Sequence, residues 1–200
     1  MFPDLLRDDV FRLETRRLWL RWPRASDAEA IATLAGDREV AEQTAHIPHP
    51  YPPGAAAEFV LRSRAANLGG EALTLVLAPK GRPNDAIGCI GLWRVGEGEL
   101  ELGYWLGKSW HRQGLMSEAV RGLTRLVMDV CDVDAIKATS LPGNAASRGV
   151  LARCGFVDMG EGVVFAPARG GDRAVRRMVL SREASRLPAG RFDEQARRCA

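Results

Sequence analysis

The sequence predicts a mixed α/β (α+β) fold, in which a mostly antiparallel sheet of about seven strands is flanked by about four helices. Runs of alternating apolar residues, typical of strands, occur once near the start, then three times in succession, and three times later. Stretches with apolar residues three and four apart, typical of helices, separate these groups. Short turns rich in Gly, Pro, Asn and Asp join the three central strands, which favours an antiparallel meander.

Turn and loop residues separate the predicted elements at regular intervals along the chain. The predicted strands cover residues 17–23, 72–78, 86–95, 99–107, 134–140, 156–160 and 174–181. The predicted helices cover residues 26–34, 55–67, 117–130 and 144–153. A proline-rich loop, residues 45–54, separates the first two helices, because its four prolines remove backbone donors and fix φ.

The composition is that of one globular domain. Of the 200 residues, 46% are hydrophobic and 26% are charged, which excludes a disordered chain, a coiled coil and a collagen-like fibre. We expect one domain over residues 12–186, followed by an arginine-rich tail over 187–200. With 28 basic and 25 acidic residues the net charge is +3, too small for nucleic acid to be the expected partner.

The cysteines and histidines predict no metal site. Cys89, Cys131, Cys154 and Cys199 are scattered, without a C-x-x-C spacing, and the three histidines lie apart. We expect the first three cysteines to be buried free thiols and Cys199 to be exposed.

The first residues carry acidic side chains unlike those of a signal peptide, and no apolar run approaches the roughly 20 residues that span a bilayer. A cytoplasmic protein without a membrane partner is therefore expected.

One loop has the features of an anion site. The segment GYWLGKSWHRQGLMSEAV, residues 103–120, runs from a strand through a glycine-containing loop into a helix. A helix begins with unpaired backbone N–H groups and the positive end of its dipole, and Lys108 and Arg112 add positive charge beside it. Phosphate or pyrophosphate suits such a place. Taken alone, an ordinary strand–loop–helix joint explains the segment better.

A second segment makes the anion site the better interpretation of this loop. NAASRGVLARCGF (144–156) matches the pattern N-x-x-S-x-x-[VL]-L-x-x-x-G-F, and three further segments match in order: LETRRLWLR (13–21), ELGYWL (101–106) and WHRQGLMSEA (110–119). Together they resemble the GNAT superfamily of acetyl-CoA-dependent N-acetyltransferases, in the branch of the ribosomal-protein-alanine N-acetyltransferases. The resemblance covers roughly residues 12 to 182. It implies the GNAT fold, with a sheet splayed between the fourth and fifth predicted strands.

The resemblance also implies acetyl-CoA as co-substrate, with no metal, and gives its contacts. In the family, backbone N–H groups of the pyrophosphate loop hold the CoA phosphates, here those of Arg112, Gln113, Gly114, Leu115, Met116 and Ser117. Pantetheine pairs with the fourth strand, here at Trp105, Leu106 and Gly107, while Asn144 bonds the CoA arm and Ser147 points toward the thioester sulfur. His111 and the bulky Met116 depart from the usual [QR]-x-x-G-x-[GA] loop.

Two residues are predicted to do the chemistry. Glu101 is the expected general base, because strand alternation puts it on the face of Gly103 and Trp105; a solvated strand carboxylate is the equal alternative. Many members of the family that the chain resembles use a tyrosine as the acid for the leaving thiolate, and none lies near 151–154, so Ser147 or water is expected in that role. A Ser147 hydroxyl bonded to a backbone carbonyl of its own helix is the alternative. Tyr104 alternates to the other face and is expected in the core.

The predicted acceptor is a primary amine, either a protein N-terminus or a small molecule. His49 and Tyr51 in the proline-rich loop and Trp93 on the third strand are the expected substrate-binding residues. A CoA-binding module without catalysis is the alternative, since His111 and Met116 alter the loop. The resemblance leaves a homodimer through the last strands as a further expectation.

Overall fold

The computed structural model describes residues 11–185, which form one eight-stranded sheet with helices on both faces. The strands are β1 (Arg12–Glu14), β2 (Leu18–Arg21), β3 (Ala72–Pro79), β4 (Gly88–Gly96), β5 (Glu99–Leu106), β6 (Ala135–Ser140), β7 (Val157–Ala166) and β8 (Gly171–Ser181). The helices are α1 (Ala28–Ala35), α2 (Arg38–Ala41), α3 (Ala55–Gly69), α4 (Leu115–Val130), α5 (Ala145–Arg153) and α6 (Arg182–Ser185).

The strand order confirms the predicted mixed sheet. Neighbours run β1-β2-β3-β4-β5-β6-β8-β7, and only the β5–β6 pair is parallel. All seven predicted strands and all four predicted helices are present. The additional strand β1 and the additional helices α2 and α6 have three or four residues each, too few for a period to be recognised in the sequence.

The parallel pair opens into a gap. β5 and β6 pair from Glu99 opposite Ala135 to Leu102 opposite Ala138, and the pairing ends there, although β5 continues to Leu106. On its other edge β5 stays paired with β4 along this whole stretch. The edge of β5 that faces β6 therefore has no strand partner over its last four residues, as the resemblance implied for these two strands.

Alternation along β5 sends its side chains to two different layers. Leu102 and Leu106 pack with α4, whose residues Ala119, Val120 and Leu123 are fully buried at helical spacing, in the main core. The opposite face of the sheet is covered by α1 and α3 through a smaller apolar cluster that includes Ile31 and Val60. A ligand in the gap between β5 and β6 thus meets side chains from both layers.

Three sequence expectations concern the chain as a whole. Cys89, Cys131 and Cys154 are free and buried, as predicted. Cys199 and the predicted tail lie outside the described residues. Within residues 11–185, no helix combines the length and the apolar character needed to cross a bilayer.

Candidate active site

A large cavity follows the gap between β5 and β6. It has a volume of about 1160 Å³ and also borders the residues after α2 and the starts of α4 and α5. Its walls include most of the predicted site residues: Tyr51, Trp93, Glu101, Trp105, Leu106, Arg112, Gly114, Leu115, Met116, Ser117, Asn144 and Ser147. A smaller cavity of about 510 Å³, beside Trp19 at the other end of the sheet, contains none of them.

Three predicted residues lie outside this lining. The N–H of Gly107 donates to the Ile87 carbonyl at 2.9 Å and its own carbonyl accepts from Trp110, so neither group is available to pair with pantetheine. Gln113 does not border the cavity either, and its side-chain amide donates to a nearby backbone carbonyl. His49 does not border the cavity, and its Nδ1 lies 2.9 Å from the carbonyl oxygen of Gly36.

The loop before α4 is built to leave backbone donors free. The helix is preceded by Gly114, whose φ of 71° is a left-handed conformation that favours glycine. The first helical hydrogen bond runs from the N–H of Glu118 to the carbonyl of Gly114, so the N–H groups of Leu115, Met116 and Ser117 have no helical acceptor. These donors suit a phosphate or pyrophosphate.

The two departures from the family loop do not obstruct those donors. The side chain of Met116 is only 5% exposed and belongs to the main core, so the core accommodates its bulk. The Nε2 of His111 lies 2.8 Å from the carbonyl oxygen of Leu106, which ties the loop to the end of β5.

A carboxylate joins two of the sequence motifs. Glu118, in the first turn of α4, accepts from the Thr15 hydroxyl at 2.7 Å and from the Arg17 backbone and Nε at 2.6 and 2.7 Å. Arg17 also donates to the carbonyl of Gln113 at 2.8 Å. Burial by itself raises the pKa of Glu118, but the hydrogen bonds from Thr15 and Arg17 outweigh it and hold that pKa below its usual range. This cluster fixes the loop and the start of α4 against β2.

Tyr104 has a role that its strand position did not predict. It packs against the main core as expected, but its hydroxyl reaches α5, 2.9 Å from the Ser147 hydroxyl and 3.2 Å from the Ser147 carbonyl. Burial, only partly countered by the bond to Ser147, raises the pKa of Tyr104, which keeps the phenol protonated and able to donate. The sequence offered one indication of this contact: a tyrosine in a core normally finds a hydrogen-bond partner for its hydroxyl.

Ser147 is held in place from its own helix. Asn144 is the residue before α5, and its side-chain oxygen accepts from the Ser147 N–H at 2.9 Å. This cap accounts for the Asn and Ser three residues apart in the N-x-x-S pattern. Asn144 also borders the cavity.

Glu101 lies on the other face of β5, together with two neighbours that shape its surroundings. It is directly opposite Trp93 on β4, and Thr139 on β6 donates to its Oε1 at 3.5 Å. The Trp93 ring covers Gly103, where an added Cβ would lie 2.6 Å from the ring. Glu99, on the same face, instead forms an ion pair with Lys137 at 2.6 Å and does not border the cavity.

Comparison with known proteins decides the family. Residues 17–157 match the family described as acetyltransferase (GNAT) domain. The chain belongs to this family. Comparison of the sequence with curated proteins gives no match. The family assignment makes the protein an acyltransferase.

Solved structures agree on the GNAT fold. Mycobacterium smegmatis RimJ in complex with CoA-disulfide is 21% identical, with a TM-score of 0.72 and 96% of each chain covered. A ribosomal-protein-S5-alanine acetyltransferase from Vibrio fischeri is 20% identical, with a TM-score of 0.72, 88% of this chain and 99% of that one covered. The microcin C7 self-immunity acetyltransferase MccE, in complex with acetyl-CoA and AMP, is 17% identical, with a TM-score of 0.70, 83% and 93% covered.

The cavity of this GNAT domain contains polar groups that fit a ligand such as CoA. Ser117 and Ser140 border the cavity, and their hydroxyls are buried without a hydrogen-bond partner within residues 11–185. Because buried hydroxyls normally have partners, these two serines are candidates for a contact with a ligand in the cleft. No cluster of three metal-ligating side chains occurs in the same residues.

The GNAT gap separates two kinds of proton chemistry. Glu101 faces it from the layer of α1 and α3, while Tyr104 and Ser147 face it from the layer of α4 and α5. A carboxylate accepts a proton, and a hydroxyl pair donates one. A reacting group held in the gap would have the acceptor on one side and the donors on the other.

Proposed function

We propose that the protein moves the acetyl group of acetyl-CoA to a primary amine by direct attack within a ternary complex. The observation that carries this proposal is the gap between β5 and β6, with Glu101 on one face and the Tyr104–Ser147 pair on the other. Proximity and paired acid–base groups are the two requirements of such a transfer.

The acetyl-CoA site is proposed at the α4 end of this gap. The N–H groups of Leu115, Met116 and Ser117 would hold its phosphates, and Arg112 adds charge beside them. The unpaired edge of β5 at Trp105 and Leu106 would meet the pantetheine arm, and the Ser117 and Ser140 hydroxyls offer further bonds. Bound acetyl-CoA supplies an activated acyl group on a thiolate that can leave.

The protein groups would move protons in opposite directions. Glu101 would take the proton that the attacking amine loses as its nitrogen bonds to the acetyl carbon. Ser147 would give a proton to the sulfur as the carbon–sulfur bond breaks, and Tyr104, 2.9 Å from it, would restore that proton. Tyr104 is then left as a phenolate and Glu101 carries the extra proton. Solvent would take the proton from Glu101 and return one to Tyr104, whose raised pKa favours the protonated phenol. The products are an amide and a free thiol, and the enzyme is unchanged.

The alternative, a CoA-binding module without catalysis, depended on His111 and Met116. Both side chains are engaged without blocking the loop, His111 with the Leu106 carbonyl and Met116 in the core. These contacts favour the enzyme. The predicted homodimer and a cytoplasmic location remain predictions; the buried free thiols agree with a reducing compartment.

A thiol-release assay over amines, amino acids and peptides, with acetyl-CoA as donor, tests the proposal. Glu101→Gln should lower kcat by about 100-fold or more, the usual contribution of a general base, and leave the KM of acetyl-CoA within about 2-fold. Glu99→Gln is the matched control, because Glu99 lies on the same strand face outside the cavity. Thermal protection by acetyl-CoA checks binding separately. Equal losses in both variants would remove Glu101 as the base.

A further inference from the structure

The side of the cavity that Glu101 faces is here called the acceptor chamber. Its walls are four half-buried aromatic residues together with Glu101: Tyr51, Phe59, Trp93 and Trp105. We infer that the acceptor is a primary amine with a single positive charge and an apolar, ring-sized body, and that polyamines and aminoglycosides are excluded. This inference rests on the proposed function and names the substrate class of that site.

The apolar walls favour a ring-sized body. Tyr51, Phe59 and Trp105 pack against the cluster between the sheet and the helices α1 and α3, so their positions are fixed by the core. Trp93 lies over Gly103, where the missing side chain leaves room for the indole. Rigid, partly exposed aromatic faces gain most by burying the apolar surface of a ligand.

The charges of the cavity oppose a polycation. Glu39, Glu42 and Glu101 border it, and Glu39 and Glu42 form ion pairs with Lys108 and Arg38. Within residues 11–185, Glu101 is the one lining carboxylate without a cation partner, and its contact is the Thr139 hydroxyl. One carboxylate matches one ammonium group.

One residue of the cavity wall carries a positive charge that would repel further ammonium groups of an acceptor. Arg62 on α3 borders the cavity and lies near enough to Tyr51 for its charge to lower the pKa of that phenol, against the stronger opposite effect of burial. A second or third ammonium of a polycation would meet this charge without a carboxylate to compensate. Repulsion between like charges is an effective means of rejecting a partner.

The chamber is bounded on the side of the last two strands. The turn Pro167–Arg169 between β7 and β8 is bonded to the loop after α2: Ala168 donates to the Ala45 carbonyl at 3.2 Å, and Arg169 donates to the Ile47 carbonyl. Two valines from β7 and β8, Val164 and Val175, add apolar surface below this contact. The enclosure therefore selects for a compact apolar body.

Calorimetric binding in the presence of CoA, together with thiol release, tests the inference. Phenethylamine and tryptamine represent the proposed class, spermidine and kanamycin the polycations, and ethanolamine a small polar monoamine. The aromatic monoamines should bind about 10-fold or more tightly than the others and show a correspondingly larger kcat/KM. Tighter binding or faster turnover of spermidine or kanamycin would overturn the inference and leave the proposed function standing.

Two variants connect the selectivity to the chamber. Trp93→Ala should weaken tryptamine binding about 10-fold and leave CoA binding unchanged, with Trp93→Phe recovering most of the loss. Trp19→Ala is the matched control, because Trp19 is a half-buried tryptophan that borders the other cavity. Arg62→Glu should raise spermidine binding relative to tryptamine; no change in this ratio would also contradict the inference.

The binding readout separates the two proposals. Selective binding of aromatic monoamines without thiol release would refute the transferase proposal and preserve the chamber's selectivity. Thiol release with equal kcat/KM for all five amines would support the transferase proposal and refute the selectivity of the chamber. Absence of both binding and release would refute both.

Discussion

Replacing Tyr104 with phenylalanine tests the proton relay most directly. Tyr104→Phe keeps the ring in the core and removes only the hydroxyl that lies 2.9 Å from the Ser147 hydroxyl. A general acid typically contributes about 100- to 10,000-fold to a rate. Because Tyr104 is proposed to act through Ser147 and not on the substrate itself, we expect an effect below this range, a fall in kcat of about 10- to 100-fold.

The same change should be mild for stability and for CoA binding. A hydrogen bond of this kind contributes about 0.5–1.5 kcal/mol to folding. In a protein of this length, 1 kcal/mol corresponds to about 2–4 °C in Tm. The loop residues from Arg112 to Ser117 are unaffected, so the KM of acetyl-CoA should stay within about 2-fold.

A double-mutant cycle with Ser147→Ala, measured by thiol release under saturating substrates, shows whether the two hydroxyls act together. If Tyr104 acts through Ser147, Tyr104→Phe should lower kcat far less in the Ser147→Ala background than in the native protein. Circular dichroism and thermal melting control for misfolding. An unchanged kcat in Tyr104→Phe, or the same fold loss in both backgrounds, would refute the relay.

Three further changes test the surroundings of the site. Gly114→Ala forces a side chain onto φ 71° and should cost about 1–2 kcal/mol of stability and weaken thermal protection by CoA; full protection would contradict the role of the loop. The lowered pKa of Glu118 means that its carboxylate stabilises the fold above the ordinary glutamate value of about 4.3 and loses this effect as the pH falls through the native pKa. Glu118→Gln should therefore be less stable than the native protein at neutral pH in urea unfolding, with the difference shrinking in acid; a pH-independent difference would refute the assignment. Gly103→Ala places a Cβ 2.6 Å from the Trp93 ring and should displace the indole, lowering amine affinity more than CoA affinity in calorimetry.

Local patterns predicted the sheet well because alternation and helical spacing are properties of neighbouring residues. The strands at 72–78, 86–95 and 99–107 needed only their apolar residues and the turns between them. The extra strand β1 escaped because three residues carry no period; its place depends on pairing with β2.

Contacts between distant segments were beyond those patterns. Arg17 and Glu118 lie 101 residues apart, and although both belong to segments that carried the family resemblance, spacing along the chain does not show that they meet. Tyr104 was assigned to the core from alternation, and its bond to Ser147 depends on where α5 packs. The ring of His49 bonds the residue after α1 and does not border the cavity, whereas His46 of the same loop does, and the spacing of the two histidines does not show this difference.

The placement of the proposed base, Glu101, and of Tyr104, which is proposed to supply a proton through Ser147, follows from one spacing in the sequence. Glu101 and Tyr104 are three residues apart on β5, and an odd spacing puts two strand residues on opposite faces. In a continuous sheet those faces would be separated by backbone, and no ligand could touch both. The pairing of β5 with β6 ends between these two residues, at Leu102. The gap between the strands therefore begins where a ligand would have to contact both faces of the sheet. Moving either Glu101 or Tyr104 by one position along β5 would put both side chains on the same face of the sheet. In the proposed mechanism, this odd spacing across the end of a parallel pairing is the feature that would allow one strand to supply both the proton acceptor and part of the proton donor.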